Sequence, residues 1–243
     1  DDITDNLTLI NNLKKSNSIK NKFFSIIAHD LKNPFHAIIN LTELMSLKEF
    51  ESSKVQEYIS LIHNSSRQGY NLLINLLEWA RIQTNSIQIK KTNFNLSETI
   101  NYNIELLSSN SEEKNLKIEI SCPENIPMIF ADKNILSTVI RNLLSNGIKF
   151  SNKDGFISIN SYIKDGMCFI SIKDSGIGIS NSDQKKLFKL EENFSTPGTG
   201  KEKGTGLGLV LCKELIELHG GKISIDSEIG KGTKVSFWIP LKD

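Results

Sequence analysis

The sequence predicts an α+β chain: a helical hairpin that pairs with a second copy into a dimeric four-helix bundle, followed by an α/β sandwich with one mixed sheet and helices on one face. Three observations predict it. The first third keeps three-to-four spacing of apolar residues, with one proline (Pro34) and one glycine (Gly69) before residue 90. Beyond Lys90, helix-spaced runs mix with stretches of alternating apolar and polar residues. Two of those stretches flank Asp165-Gly166, a hairpin signal.

In the first helix, Ile3, Ile10, Leu13, Phe24, Ile27 and Leu31 fit a heptad seam, with polar breaks at Asn17 and Lys20. Pro34 is expected to kink or loosen it just before that residue. After a break around Lys48–Ser53, a second helix carries Val55, Ile59, Ile62, Leu73, Leu76, Leu77 and Ala80. Two helices cannot bury so wide a stripe alone, so a homodimer is expected. The domain boundary falls near residues 88–94, giving domains 1–90 and 91–243. In the second domain, Asn95-Leu-Ser-Glu98 reads as a capping box opening a helix to about Lys114. Lys117–Ser121 reads as a strand. Asp132 caps a helix carrying Ile135, Val139, Leu143 and Leu144. Phe156–Ile163 and Met167–Ile172 form the hairpin, Leu209–Leu218 a helix, and Lys222–Asp226 with Lys234–Ile239 a closing strand pair.

Composition excludes several function classes. The 243 residues are 38% hydrophobic and 23% charged, an ordinary globular balance. A net charge of +1 gives no pull toward nucleic acid or anionic lipid. No apolar run is long enough to span a membrane, so no membrane contact is expected of this piece. Cys122, Cys168 and Cys212 form no CxxC pair, which fits neither a disulfide framework nor a zinc site and suits a reducing cytoplasm. Residue 1 is not Met, and the chain reads as a fragment of something longer.

His29 follows Phe24 and Ile27, and in the heptad frame it falls at an outer position. A neutral imidazole there is a nucleophile open to a donor. Asp30 can hold its tautomer and accept a departing proton, and Asn33, one turn on, can place a water. Taken alone, this is more often a surface histidine beside an acid. His36 and His63 lack a chemical neighbourhood, and His219, before Gly220-Gly221, reads as a helix-terminus residue.

Four segments suit a nucleotide, although the chain has no GxxxxGK[ST] loop. Asn142, Asn146 and Lys149, with Phe150 following, line one helical face; amide oxygens suit Mg²⁺ and a lysine suits phosphate. A solvated helix face explains that segment equally well. Asp174 ends a strand and is followed by Gly176 and Gly178, which permit close backbone approach. Its carboxylate can accept a hydrogen bond from an exocyclic amine, selecting adenine. Lys203, Gly204, Thr205, Gly206, Leu207 and Gly208 run into a helix whose amides can meet a phosphate chain. The polar stretch Glu191–Lys203 reads as a mobile lid. Gly230-Lys-Gly232-Thr233 reads as a supporting turn.

In this order and spacing the segments resemble the sensor histidine kinases over nearly the whole chain. His29-Asp-Leu-Lys-Asn-Pro34 is similar to the family's H box and Asn142-Leu-Leu-Ser-Asn146 to its N box. Asp174-Ser-Gly-Ile-Gly178 is similar to the G1 box, Leu187-Phe188 to the F box and Gly204-Thr-Gly-Leu-Gly-Leu209 to the G2 box. The resemblance implies a phosphotransfer bundle and a Bergerat (GHKL-type) ATP-binding domain. It implies ATP and Mg²⁺ as cofactors, Asn146 as metal ligand, Lys149 as phosphate contact and Asp174 as adenine acceptor. It also implies His29 as phosphoryl acceptor, a response-regulator receiver domain as partner, and a membrane-anchored bacterial parent with this part in the cytoplasm. Three departures stand out. Gly147 replaces the usual alanine, the F-box region lacks the Pro-Phe pair and leaves Phe188 against Phe194 as lid anchor, and the lid has no arginine, leaving Lys201 or Lys203. Two alternatives use the same ATP segments: an ATP-driven conformational machine, and a scaffold that binds nucleotide without transferring it.

Overall fold

The computed structural model describes residues 10, 25, 28–47, 50–84, 88–122, 128–189, 195–200, 202, 204 and 206–241. The chain divides into two compact units, Asp1–Arg81 and Ile82–Asp243.

In the first unit, helix α1 covers 28–47 and α2 covers Ser52–Gln83. Helix α1 runs through Pro34 without a break, and a buried proline there meets α2 at Gly69. A Cβ on Gly69 would lie 3.6 Å from Pro34 Cγ and 3.7 Å from the Phe35 ring, so glycine lets the helices approach there. At the connecting loop, Phe50 meets Tyr58 edge-on with ring centroids 5.2 Å apart. Phe35, Ile39, Leu44, Leu47, Ile59, Leu61, Leu73 and Leu77 remain exposed. Among the sequence-predicted seam residues, Ile3, Leu13, Phe24 and Ile27 lie outside the described residues.

The second unit holds a five-stranded mixed sheet. Its elements are β1 (Thr92–Phe94), α3 (Leu96–Leu106), α4 (Ser108–Glu113), β2 (Lys117–Ser121), β3 (Ile129–Ala131), α5 (Lys133–Phe150), β4 (Phe156–Lys164), β5 (Met167–Asp174), α6 (Asn181–Gln184), α7 (Gly208–Leu218), β6 (Lys222–Glu228) and β7 (Gly232–Pro240). The order is β2-β4-β5-β7-β6, with β2 parallel to β4 and the other pairs antiparallel. Alternation decides which face is covered. Ile157, Ile159, Cys168, Ile170, Ile172, Val235, Phe237 and Ile239 are buried with Leu136, Ile140, Leu144, Leu211 and Leu215 of the helices. Asp165 (φ 51) and Gly166 (φ 74) both take positive φ, the hairpin turn expected from the sequence.

One expectation is corrected, and one strand pair was not foreseen. The single helix to Lys114 is two helices, because the chain turns at Leu107 between α3 and α4. A small pair, β1 with β3, was not foreseen; three-residue strands give too little alternation to read. Around the expected boundary, the Lys90 N–H donates to Asp132 Oδ2 at 2.8 Å, and Thr92–Phe94 pairs with Ile129–Ala131.

Both foreseen caps form. Asn95 Oδ1 accepts from the Ser97 and Glu98 amides, and Asp132 Oδ1 accepts from the Asn134 and Ile135 amides. His219, buried, joins two helix ends: its Nδ1 faces Leu215 O at 3.1 Å, and its Nε2 accepts the Asp132 N–H at 3.2 Å.

Gly147 sits inside α5, where glycine costs about 1 kcal/mol relative to alanine. A Cβ there would lie 3.4 Å from Ile157 Cδ1 and 3.7 Å from Asp174 Cβ, ordinary contact. Gly147→Ala is therefore expected to stabilise the chain by about 1 kcal/mol in urea unfolding; a destabilised variant would show that the α5–sheet spacing depends on glycine.

Candidate active site

Helix α5 brings the polar stripe of the sequence against three loops. Asn142 Nδ2 donates to Thr138 O at 3.0 Å, within its own helix. Its Oδ1 is thereby turned outward, and a Cβ on Gly208 would come within 3.3 Å of it. The start of α7 thus lies against Asn142. Among the described residues no side chain caps α7, which leaves its first amides available to an anion. Asn146, one turn further along α5, is half-buried.

Lys149 passes between two glycines. A Cβ on Gly198 would overlap Lys149 Cγ at 2.6 Å, and one on Gly204 would overlap its Nζ at 2.5 Å. The ammonium reaches Thr196 O at 3.4 Å and lies 4.6 Å from the Phe150 ring centroid. Burial pushes the Lys149 ammonium below the usual lysine value; Glu202 opposes this and Lys114 adds to it.

Asp174 ends β5 and is buried. Its Oδ1 accepts the Gly176 N–H at 2.8 Å and the Thr233 N–H at 3.1 Å, leaving Oδ2 for another partner. Burial pushes its carboxyl above the usual range, and the two amides pull in the other direction. The following turn is packed backbone on backbone. A Cβ on Gly176 would lie 2.3 Å from Phe150 O, and one on Gly178 (φ +70) would overlap Glu228 O. Gly232 (φ +94) lies equally close beneath Asp174 O, so the 230–233 turn supports the aspartate, as the sequence suggested. Ser227 adds a tie, its Oγ accepting the Ile179 N–H at 2.9 Å.

The structure therefore gathers Asn142, Asn146, Lys149, Phe150, Asp174, Gly176, Gly178, Gly204, Gly206, Leu207 and Gly208 in the second unit. Lys203, Thr205, Lys201 and Phe194 lie outside the described residues. His29, Asp30 and Asn33 lie on α1 in the first unit. His29 is 75% exposed, its Nδ1 3.1 Å from Asp30 Oδ1, and Asn33 is also exposed. Sequence reasoning missed Lys114, whose ammonium meets the end of α5 and the loop before Gly204. It follows Glu112-Glu113 in a polar stretch and carries no local signal.

The groups present fit a nucleotide. Asp174 is buried with Oδ2 unengaged by the two backbone amides on Oδ1, the Ser151 hydroxyl is buried without a partner among the described residues, and the glycine turns leave backbone amides approachable. They also fit Mg²⁺ held partly by phosphates: Asn142 and Asn146 supply hard amide oxygens, and Mg²⁺ bound to phosphates needs few protein ligands. Among the described residues no cluster of His, Cys, Asp or Glu could replace them.

A mixed sheet backed by helices on one face, with a buried aspartate at a strand end and a helix start set against the polar stripe of α5, is the architecture of a GHKL-type nucleotide-binding domain. The comparisons agree. Residues 131–243 match the model of the histidine kinase-, DNA gyrase B- and HSP90-like ATPases, and residues 19–85 match the His kinase A (phospho-acceptor) domain. The circadian input-output histidine kinase CikA of Synechococcus elongatus is 29% identical over 93% of this chain and 30% of its own length. Histidine protein kinase DivJ of Caulobacter vibrioides is 29% identical over 90% of this chain and 37% of its own length. The solved catalytic domain of histidine kinase ThkA is 30% identical, covering 63% of this chain and 96% of that one, at a TM-score of 0.54. ThkA in complex with response regulator TrrA shares the fold over 94% of this chain and 64% of that one (TM-score 0.75, 24% identity). The chain belongs to the sensor histidine kinases. It spans well under half the length of CikA and DivJ. Among the described residues no helix is long and apolar enough to cross a membrane.

Asp174→Asn tests the aspartate. The amide oxygen keeps both backbone bonds but places an NH₂ where an acceptor stood. A carboxyl raised by burial is paired with its proton more readily in the folded chain, so its ionised form costs stability above the raised pKa. Asp174→Asn is therefore expected to hold or raise Tm at neutral pH while weakening ATP affinity at least roughly tenfold, about 1.4 kcal/mol. Wild-type ATP affinity should fall as pH drops through the raised value, earlier than for an ordinary carboxylate. Calorimetric titration at several pH values checks both; unchanged ATP affinity in Asp174→Asn would remove the adenine role.

Proposed function

We propose that the chain is the catalytic core of a sensor kinase that phosphorylates its own His29 from Mg-ATP and passes the phosphoryl group to an aspartate of a response-regulator receiver domain. The observation that carries this reading is the exposed His29–Asp30 pair. An ionised carboxylate accepts, so Asp30 holds the proton on Nδ1 and leaves the Nε2 lone pair open to solvent. Nε2 attacks the γ-phosphorus, the bond to the β,γ-bridging oxygen breaks, and ADP leaves. The positive charge on the ring is relieved through Nδ1–H to Asp30. Asn33 is placed to orient a water when the regulator is dephosphorylated.

In the nucleotide domain, Asp174 accepts from the adenine amine and Lys149 meets a phosphate. Lys203, Gly204, Thr205, Gly206, Leu207 and Gly208 lead the phosphate chain to the start of α7. Asn146, with Asn142 beside it, holds the Mg²⁺, which when bound neutralises phosphate charge. The protein's part is then positioning and electrostatics. Residues 1–90 serve dimerisation and phosphotransfer, and 91–243 ATP binding. The apolar residues left exposed on α1 and α2 are the face a second copy would cover, completing a four-helix bundle. The regulator as partner is carried over from the captured ThkA–TrrA complex, and a cytoplasmic setting beneath a membrane anchor from the family.

Incubation with γ-labelled ATP is expected to give an acid-labile, alkali-stable phosphoprotein, lost in His29→Gln. Acid-stable label, or label kept in His29→Gln, sinks His29 as acceptor; nucleotide binding without label favours the scaffold or the ATP-driven machine. Asn146→Asp is expected to fold as wild type and lose Mg-dependent labelling by at least about a hundredfold. Wild-type labelling there would end the metal-ligand assignment.

A further inference from the structure

Lys114 belongs to none of the nucleotide segments, yet its side chain is only 13% exposed and its ammonium is surrounded. Nζ lies 3.0 Å from Ile148 O, 2.8 Å from Lys149 O, 2.8 Å from Thr199 Oγ1 and 2.8 Å from Glu202 Oε1. An ammonium has three protons, so four acceptors saturate it. Two of them are terminal carbonyls of α5, which lack helical partners and sit at the negative end of its dipole. The other two belong to the loop preceding Gly204.

That loop is fastened around the same point. The Thr199 N–H donates to Lys149 O at 3.1 Å, and Thr199 Oγ1 reaches Ser151 O at 2.6 Å. Glu202 closes the turn, accepting the Gly200 N–H on Oε2 at 2.7 Å and the Gly198 N–H on its backbone oxygen at 2.9 Å. Burial pushes the Glu202 carboxyl up, but the hydrogen bond from Lys114 and the backbone amides hold it below the usual range. The consequence falls on Lys149, whose stem lies against Gly198 and whose ammonium lies against Gly204.

We propose that Lys114 is a positioning residue for nucleotide binding: it docks Thr199 and Glu202 onto the end of α5, so that Gly198 and Gly204 hold Lys149 where a phosphate meets it. The inference rests on Lys149 as phosphate contact. With its ammonium already taken up by four protein acceptors, Lys114 acts through the loop.

Lys114→Met keeps the methylene stem and removes the charge. In the full chain, ADP affinity by calorimetry is expected to fall roughly tenfold, as for the loss of charge-assisted hydrogen bonds. Hydrogen exchange should accelerate at the Gly198, Thr199 and Gly200 amides while that of Ile170 in β5 stays as in wild type. Glu202→Gln leaves the α5 carbonyls paired with Lys114 and should weaken ADP binding in the same direction, and combining the two should cost less than their sum. If Lys114→Met does not fold, Glu202→Gln alone decides. ADP affinity like wild type, additive effects, or exchange that accelerates equally throughout the sheet would each overturn the proposal. If the wild-type chain binds no ADP, the nucleotide reading itself falls, and this inference with it.

Discussion

The end of one helix organises the nucleotide-binding unit. A helix leaves its last carbonyls without internal partners, and buried carbonyls must be answered. At the end of α5 the answers come from distant parts of the chain. Lys114 answers Ile148 and Lys149, the Thr199 amide also answers Lys149, and the Thr199 hydroxyl answers Ser151. The Ile177 amide, from the turn after β5, answers Phe150 at 3.2 Å. Satisfying one helix terminus thus fastens the aspartate turn and the loop before α7 to the helix that carries Asn142, Asn146 and Lys149.

Electrostatics follow from that arrangement. Among the described residues, Lys149 and Lys114 both converge near the one acid Glu202. A polyanion is a fitting addition to such a place. Asp174 shows the complementary design. One carboxylate oxygen is engaged by two backbone amides that fix its orientation, and the second is left for a ligand. The cost of burying the charge is borne by a group whose partner arrives with the nucleotide.

The first unit obeys a different constraint. Two helices bury little of each other, and the close approach at Pro34 and Gly69 leaves a row of apolar side chains in water. His29 stands outside the packed seam, where an imidazole can meet a donor and then an acceptor. Its companion Asp30 lies next to it in sequence, 3.1 Å from the ring.

Local chemistry was legible in the sequence. The caps at Asn95 and Asp132, the positive-φ turn at Asp165-Gly166, the strand alternation and the polar stripe of α5 each depend on residues within a few positions, so pattern and propensity carry them. The short β1–β3 pair and the break at Leu107 were not legible, because a few residues carry too little periodicity. Gly204 was legible as a glycine but not in purpose: a lysine from another element presses on it. Lys114 was invisible. A lysine after two glutamates reads as solvated surface, and only the folded chain brings it to Thr199, 85 residues away. The sequence by itself determined most of the elements and the family. The tertiary structure alone decided which long-range partners satisfy the end of α5, because unpaired carbonyls have no sequence signature and take whichever donor folding delivers.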